Sequence, residues 1–345
     1  MPALSTAGVV CGGSEREIAL QQRAAGARIK TMSYQLRRNQ TLGANLRRIC
    51  RKQVEGALEI VRGEKEANDT PVHETRKHLK KARAALPMVS DEIGRPRFKK
   101  QDHSFRDIAR LISDVRDAEV RLQTVRQLQE ITRRTSQQTF RKTEELLLAE
   151  LEHFMAAFAD WQKQAAPQLE KLQEEIEGWP VENLDCKNIR CAVQRAYKSA
   201  RDTLACAKTK PTPKNFHEFR SEAKRLLYQL RILRPINPLV IGALIDDLDA
   251  VGQIFGRSHD LYFLGERLRR VDAQPPARET RELVAVIEAT EVELQNRGVD
   301  LAERFFEERP RAFGHRLGSW LQQWLRGEAP TVADALVCHD ASVLN

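Results

Sequence analysis

The chain has 345 residues, 41% of them apolar, which is enough for a packed core and excludes an intrinsically disordered protein. Only 6% are aromatic, and the 17 glycines and 14 prolines are sparse and clustered, a balance that favours long helices over many short strands. A net charge of +9 and a pI of about 9.3 point to a polyanionic partner, although 30% charged residues of both signs make much of this basicity ordinary solvated helix face.

Cys11, Cys50, Cys186, Cys191, Cys206 and Cys338 form no CxxC pair or regular framework, as expected for reduced thiols in a cytosol. No run reaches the ~18 apolar residues that a membrane span requires. The N-terminus carries no signal-peptide core, so the expected location is cytoplasmic.

Residues 1–33 read as a flexible extension, with Met32 as the expected physiological start. From Gln40 to Val61, Leu42, Leu46, Ile49, Val54, Leu58 and Val61 recur at helical spacing. Thr70-Pro71 is an N-cap followed by proline in the first turn, opening a helix to about Val89. Gly94-Arg95-Pro96 breaks the chain; helices are expected from about Arg97 to Ser113 and from Asp114 past Leu128. One helix is expected over Phe140–Ala166, with Leu146, Leu147, Leu151, Phe154, Phe158 and Trp161 as its buried side.

Gly178-Trp179-Pro180 marks the boundary between a first half, 34–178, and a second, 179–326. A helix over Asp185–Ala207 is followed by Thr212-Pro213, a second start signal, and a helix broken at Pro235-Ile236-Asn237-Pro238. Separate helices are expected over Val240–Phe255 and Ser258–Val271. After Gln274-Pro275-Pro276 a long helix runs to about Glu308, Pro310 interrupts, and Phe313–Leu325 closes the fold before a tail, 327–345. No alternating strand pattern occurs, so the predicted class is all-α, with antiparallel helices joined by short loops.

His73-Glu74-Thr75-Arg76, with Lys80-Lys81 after it, returns 144 residues later as His217-Glu218-Phe219-Arg220 with Lys224-Arg225. Residues three, four and seven apart share a helix face. His73, Arg76, Lys77 and Lys80 therefore point one way, flanked by Lys81 and Arg83, and His217, Arg220, Lys224, Tyr228 and Arg231 form a second line. Such rows carry repulsion between like charges at i and i+4. They suit a chain of anions: guanidinium binds phosphate oxygens bidentately, lysine adds a point charge and histidine a donor.

Further basic lines are Lys187, Arg190, Lys198 and Arg201, the cluster Arg47, Arg48, Arg51 and Lys52, and the pair Arg106 and Arg110. Arg116-Asp117 and His259-Asp260 are a second repeated pair, 143 residues apart. One basic stripe alone is more often a solvated face; its duplication with the same histidine and arginine tips the reading towards function. Asp117 and Asp260 read as caps or arginine-orienting carboxylates. Asp246, Asp247 and Asp249 read as a solvated acidic patch, because consecutive helical residues diverge. No histidine pair has the i, i+4 spacing of a helical zinc site. Neither a metal, a cofactor nor a catalytic residue is expected.

The paired stripes, the Arg/His-Asp elements and the closing Phe313, Trp320 and Trp324 resemble the CHAD domain family, over roughly Tyr34 to Trp324. The resemblance implies two four-helix bundles related by pseudo-twofold symmetry, with a basic central groove that binds inorganic polyphosphate. Carried over position by position, the contacts are His73, Arg76, Lys80, His217, Arg220 and Lys224. Arg51, Arg110, Arg116, Arg190 and Arg201 are weaker correspondences, and Lys77, Lys81, Arg83, Arg225 and Arg231 of the same two stripes complete the candidate contacts.

His259 stands where the first copy has Arg116, and Leu227 where it has Arg83, so the second copy is expected to bind less tightly. Some relatives carry a triphosphatase tunnel with an alternating Glu-x-Glu-x-Lys strand; nothing here matches it. A binder rather than an enzyme is expected, associated with polyphosphate granules. The alternatives are a nucleic-acid binder, weakened by the scarcity of aromatics for base stacking, and a metal-dependent phosphohydrolase acting through Asp117 or Asp260.

Overall fold

Threonine–proline signals set the helix starts that matter for the site. The computed structural model describes residues 34–327 except 68, 132–136, 159 and 272–277. The extension 1–33 with Met32, the Gln274-Pro275-Pro276 break and the tail after Gly327 lie outside the described residues. Among the described residues the chain is all-α, with twelve α-helices and no strand.

Helix α1 spans Leu42–Val61, and its first turn is capped by Thr41, whose Oγ1 accepts the Ala44 N–H at 3.2 Å. Helix α2, Pro71–Ala85, has the expected start: Thr70 Oγ1 accepts the His73 N–H at 3.2 Å and Pro71 occupies the first turn. It ends in a 3-10 turn, Leu86–Met88, where Pro87 has no N–H to continue the ladder. After the short α3, Ser90–Ile93, Gly94 at φ +78° turns the chain into α4, Arg95–Leu111. Ile112 separates α4 from α5, Ser113–Ile131, and α6 (Gln137–Ala157) and α7 (Trp161–Glu177) follow.

After Gly178 the chain again opens on two helices and a 3-10 turn, then departs from the order of the first half. Helix α8, Cys186–Thr209, opens on a reciprocal capping box between Asp185 and Asn188. Helix α9, Pro213–Leu233, starts on Thr212, whose Oγ1 accepts the Asn215 N–H at 3.2 Å, and ends in a second 3-10 turn, Arg234–Ile236. Helices α10 (Pro238–Val271), α11 (Arg278–Phe305) and α12 (Pro310–Arg326) complete the chain.

Two sequence expectations are corrected. Helix α10 runs unbroken for 34 residues through Gly256-Arg257, where two helices were expected. Glycine inside a helix costs only about 1 kcal/mol, and α10 is held by packing against both α9 and α11. Conversely, Phe140–Ala166 is two helices, α6 and α7, parted between Ala157 and Trp161. The stretch changes core within α6: Phe140 and Leu147 belong to the smaller apolar cluster, Leu151 packs against both, and Phe154, Phe158, Trp161 and Ala165 pack with the larger.

The larger cluster gathers side chains such as Leu46, Ile49, Leu79, Phe105, Leu169, Tyr197, Phe219, Leu226 and Phe313. The smaller holds Leu122, Val125 and Leu128 of α5, Phe140 and Leu147 of α6, Leu261, Leu264 and Leu268 of α10, and Leu283 and Ile287 of α11. Each cluster draws residues from both sides of Gly178. The connector itself is buried: Trp179 and Val181 are each 1% exposed, and the Trp179 indole N–H donates to Gln101 Oε1 at 3.0 Å. Gly43 permits this passage, since a Cβ there would lie 1.8 Å from the Val181 carbonyl oxygen.

Helix α2 packs on α1, α9 packs on α8 and α10, and α2 and α9 touch each other. At their crossing the buried Gln229 side-chain amide donates to the Ala84 carbonyl at 3.1 Å. Among the described residues no helix is long and apolar enough to cross a membrane.

Candidate functional site

Each stripe helix is two-faced. On α2 the apolar Val72, Leu79 and Ala82 are buried, as are Phe216, Phe219, Ala223 and Leu226 on α9. The basic residues are left on the other face of each helix, and the α2–α9 contact brings the two rows into one electrostatic cluster.

Lys80 lies at its centre. Its side chain is open to solvent, yet its ammonium is pushed down to about 7, first by the protein crowding around it, then by Arg220, Arg76, Arg116 and Lys224. The four cations acting on it come from both halves of the chain.

On the first-half side, Arg76 donates from Nη1 to the Ala109 carbonyl at 2.9 Å and is opposed by Asp117. Arg116 pairs with Glu119 at 3.1 Å. His73 Nε2 is 3.8 Å from Asp69, and burial and Arg116 lower its pKa. Burial raises Asp117 against the pull of Arg76 and Arg121. Asp260 is likewise raised by burial, against Arg220, Arg116 and Lys80. The two repeated aspartates therefore each feel a stripe arginine, Asp117 that of Arg76 and Asp260 that of Arg220.

The second-half side is built on two glycines of α10. A Cβ on Gly256 would lie 3.3 Å from Arg220 Nη2, and one on Gly252 2.8 Å from Lys224 Cε, so both basic side chains lie across the bare helix. Lys224 pairs with Asp249 at 3.3 Å, and Arg231 reaches the other oxygen of Asp249 at 3.4 Å while its guanidinium lies 5.5 Å from the Tyr228 ring. Arg220 Nε is buried without a hydrogen-bond partner among the described residues. The His217 and His259 rings are 4.5 Å apart, and the Phe263 ring is 4.7 Å beyond His259. Burial, then His217, Arg220 and Lys80, push His259 down to about 3; His217 is lowered by burial, Arg220 and Lys80. Both histidines are neutral at pH 7, so the positive charge comes from arginine and lysine.

The structure thus gathers His73, Arg76, Lys80, Arg116, His217, Arg220 and Lys224, with Arg231 joined through Asp249. The other sequence candidates have separate engagements. Arg51 pairs with Glu177 at 3.2 Å, Lys77 with Glu74 at 3.1 Å, Arg83 with Asp102 at 2.6 Å and Arg110 with Asp107 at 3.0 Å. Arg225 pairs with Glu222, and Lys81 lies 5.5 Å from the Tyr34 ring. Arg190 packs on Gly318 of α12, and Arg201 acts on Tyr197 of its own helix.

The sequence placed Tyr228 on the second line, but left His259 and Asp249 out of the site. For His259 the signal was present in its correspondence with Arg116. Asp249 was read as part of a solvated patch; it is instead the partner of Lys224 and Arg231, a pairing across two helices that no spacing along the chain announces.

The crystal structure of the CHAD domain from the plant Ricinus communis is similar to this fold, with a TM-score of 0.60 at 18% identity, covering 79% of this chain and 94% of that one. PptA from Streptomyces chartreusis is similar at a TM-score of 0.55 and 14% identity, over 77% of this chain and 99% of PptA. At these identities the likeness is one of fold. No curated protein sequence matches the chain. The sequence pattern of the CHAD domain matches residues 46–269, a span that contains both stripes and both aspartate elements, and the chain belongs to the CHAD domain family.

Proposed function

We propose that the chain binds inorganic polyphosphate, without turning it over, in the concavity where α2 and α9 meet. The observation that carries this reading is the gathering of Arg76, Lys80, Arg116, Arg220 and Lys224 from both halves of the chain, with Arg220 and Lys224 laid across the bare glycines of α10; Lys80 is depressed first by burial, then by those four cations. Cations held together against their own repulsion are relieved by a row of anions, and closely spaced phosphates supply one. Arginine forks add bidentate geometry and lysines point charge. Asp117 and Asp260, set against arginines, serve to hold those side chains rather than to attack a phosphate. The family resemblance supports the same ligand, and we place the protein in the cytosol on polyphosphate granules.

The test is a titration of the purified chain with medium-chain polyphosphate at physiological salt, with duplex DNA and single-stranded RNA as competitors. Tight binding that excess nucleic acid fails to displace is expected, with a log–log salt slope of roughly −4 for about six phosphate contacts. Equal competition by RNA, or a shallow slope, would reduce the groove to a general anion surface. Phosphate release with Mg²⁺ or Mn²⁺ that disappears in Asp117→Asn would make the protein an enzyme. A fluorescent fusion that stays diffuse in granule-containing cells would remove the granule assignment.

A further inference from the structure

The cation cluster does not end the same way at its two sides. On the second-half side it runs into a series of rings along α9 and α10: His217, then His259 at 4.5 Å, then Phe263 at 4.7 Å, then Tyr262 at 5.4 Å from Phe263. Phe263 is 44% exposed, the one aromatic among the exposed large hydrophobic side chains of the described residues. In a chain with 6% aromatics, an open ring one helical turn from His259, at the edge of the cation cluster, calls for a partner. On the first-half side, 143 residues earlier, Glu119 and Val120 stand where Tyr262 and Phe263 stand, and Glu119 pairs with Arg116 at 3.1 Å.

We propose that this end of the groove recognises a nucleoside 5′-polyphosphate, with the phosphates on Lys80 and Arg220 and the base stacked on Phe263. The inference rests on the polyphosphate reading, whose phosphate contacts it reuses. Inorganic polyphosphate has no apolar group to cover Phe263; a nucleotide joins a phosphate chain to one flat π-face. His217 and His259, both uncharged, continue the ring surface towards the phosphates and can donate N–H groups to the ligand between base and phosphate. A single open phenyl ring provides for one base, which favours a mononucleotide over a stacked run of RNA.

The experiment titrates the full chain directly, by calorimetry, with ATP, with inorganic tripolyphosphate, with medium-chain polyphosphate and with short single-stranded RNA. One base stacked on an aromatic ring should make ATP bind roughly 5- to 100-fold more tightly than tripolyphosphate. Phe263→Ala should remove that gap while leaving the affinities for tripolyphosphate and long polyphosphate unchanged, and Phe263→Trp should keep or widen it. Circular dichroism confirms that each variant is helical. ATP no better than tripolyphosphate, or a preference that survives Phe263→Ala, overturns the inference while polyphosphate binding stands. RNA that gains affinity with each added nucleotide overturns it in favour of a stacked strand. Phe263-dependent ATP binding without polyphosphate binding would instead discard the parent reading and keep this one.

Discussion

The two sides of the cation cluster carry the same stripe in different surroundings. At the first-half end, Arg116 is bonded to Glu119 at 3.1 Å, His73 lies 3.8 Å from Asp69 and Arg76 donates to the Ala109 carbonyl at 2.9 Å. At the second-half end, Arg220 lies across Gly256 with its Nε unbonded among the described residues, and two neutral histidines stack beside it. The helices behind the stripes cause much of this difference. Helix α4 stops at Leu111, and the last four carbonyls of a helix lack intrahelical donors, so Ala109 can take the Arg76 guanidinium. Helix α10 continues unbroken past the corresponding point.

Arg83 and Arg116 are paired with Asp102 and Glu119, as Lys224 and Arg231 are with Asp249, whereas Arg220 Nε has no hydrogen-bond partner among the described residues. On this ground we propose that Arg220 carries more of the anion binding than Arg76, against the weaker second copy expected from the sequence.

The largest expected effect tests that directly. Arg220→Glu should weaken polyphosphate binding by roughly 2–4 kcal/mol, about 30- to 1000-fold, and Arg76→Glu about tenfold less, both with helical circular dichroism. Equal losses, or the reverse order, would abolish the distinction between the two ends.

Next in size is a pH effect centred on the residue the two ends share. Lys80 is pushed down to about 7, so below that pH it is charged with or without ligand. Above it, only the ligand-bound form keeps the proton, and affinity should fall by up to tenfold per pH unit. Lys80→Arg should flatten titrations run from pH 6 to 9, because guanidinium stays charged throughout. The sign reverses for folding. The unfolded chain holds the extra proton between about 7 and the ordinary lysine value, so the ligand-free protein should gain stability as pH rises through that window. A Lys80→Arg protein with unchanged pH dependence would remove Lys80 from the contact row.

The smallest effect concerns the bare surface of α10. Gly252→Ala adds about 1 kcal/mol of helix propensity, but its Cβ would lie 2.8 Å from Lys224 Cε. The ammonium is the flexible end of a side chain and can move aside. Thermal stability should rise slightly while polyphosphate affinity falls a few-fold. Unchanged affinity would show that Lys224 does not need its seat on Gly252.

Local chemistry made much of this legible beforehand. Thr70-Pro71 and Thr212-Pro213 announce α2 and α9, and helical spacing places the stripe residues on one face. Glycine was the misleading signal: Gly256 reads as a helix breaker, whereas in the fold it is a clearance for Arg220. The parting of α6 from α7 carries no glycine or proline at all, so no chain breaker marks it. Asp249 and the ring series from His217 to Phe263 depend on which helices become neighbours.

The smaller apolar cluster has a consequence for synthesis. Leu122, Val125 and Leu128 are buried against Leu261, Leu264 and Leu268, which leave the ribosome about 140 residues later. At 5–20 residues per second that interval is roughly 7–30 s. Throughout it, the nascent first half displays an apolar helix face whose covering has not yet been made. The protein is thus exposed to aggregation, and open to chaperone capture, at a stage set by the order of its helices rather than by the stability of the finished fold.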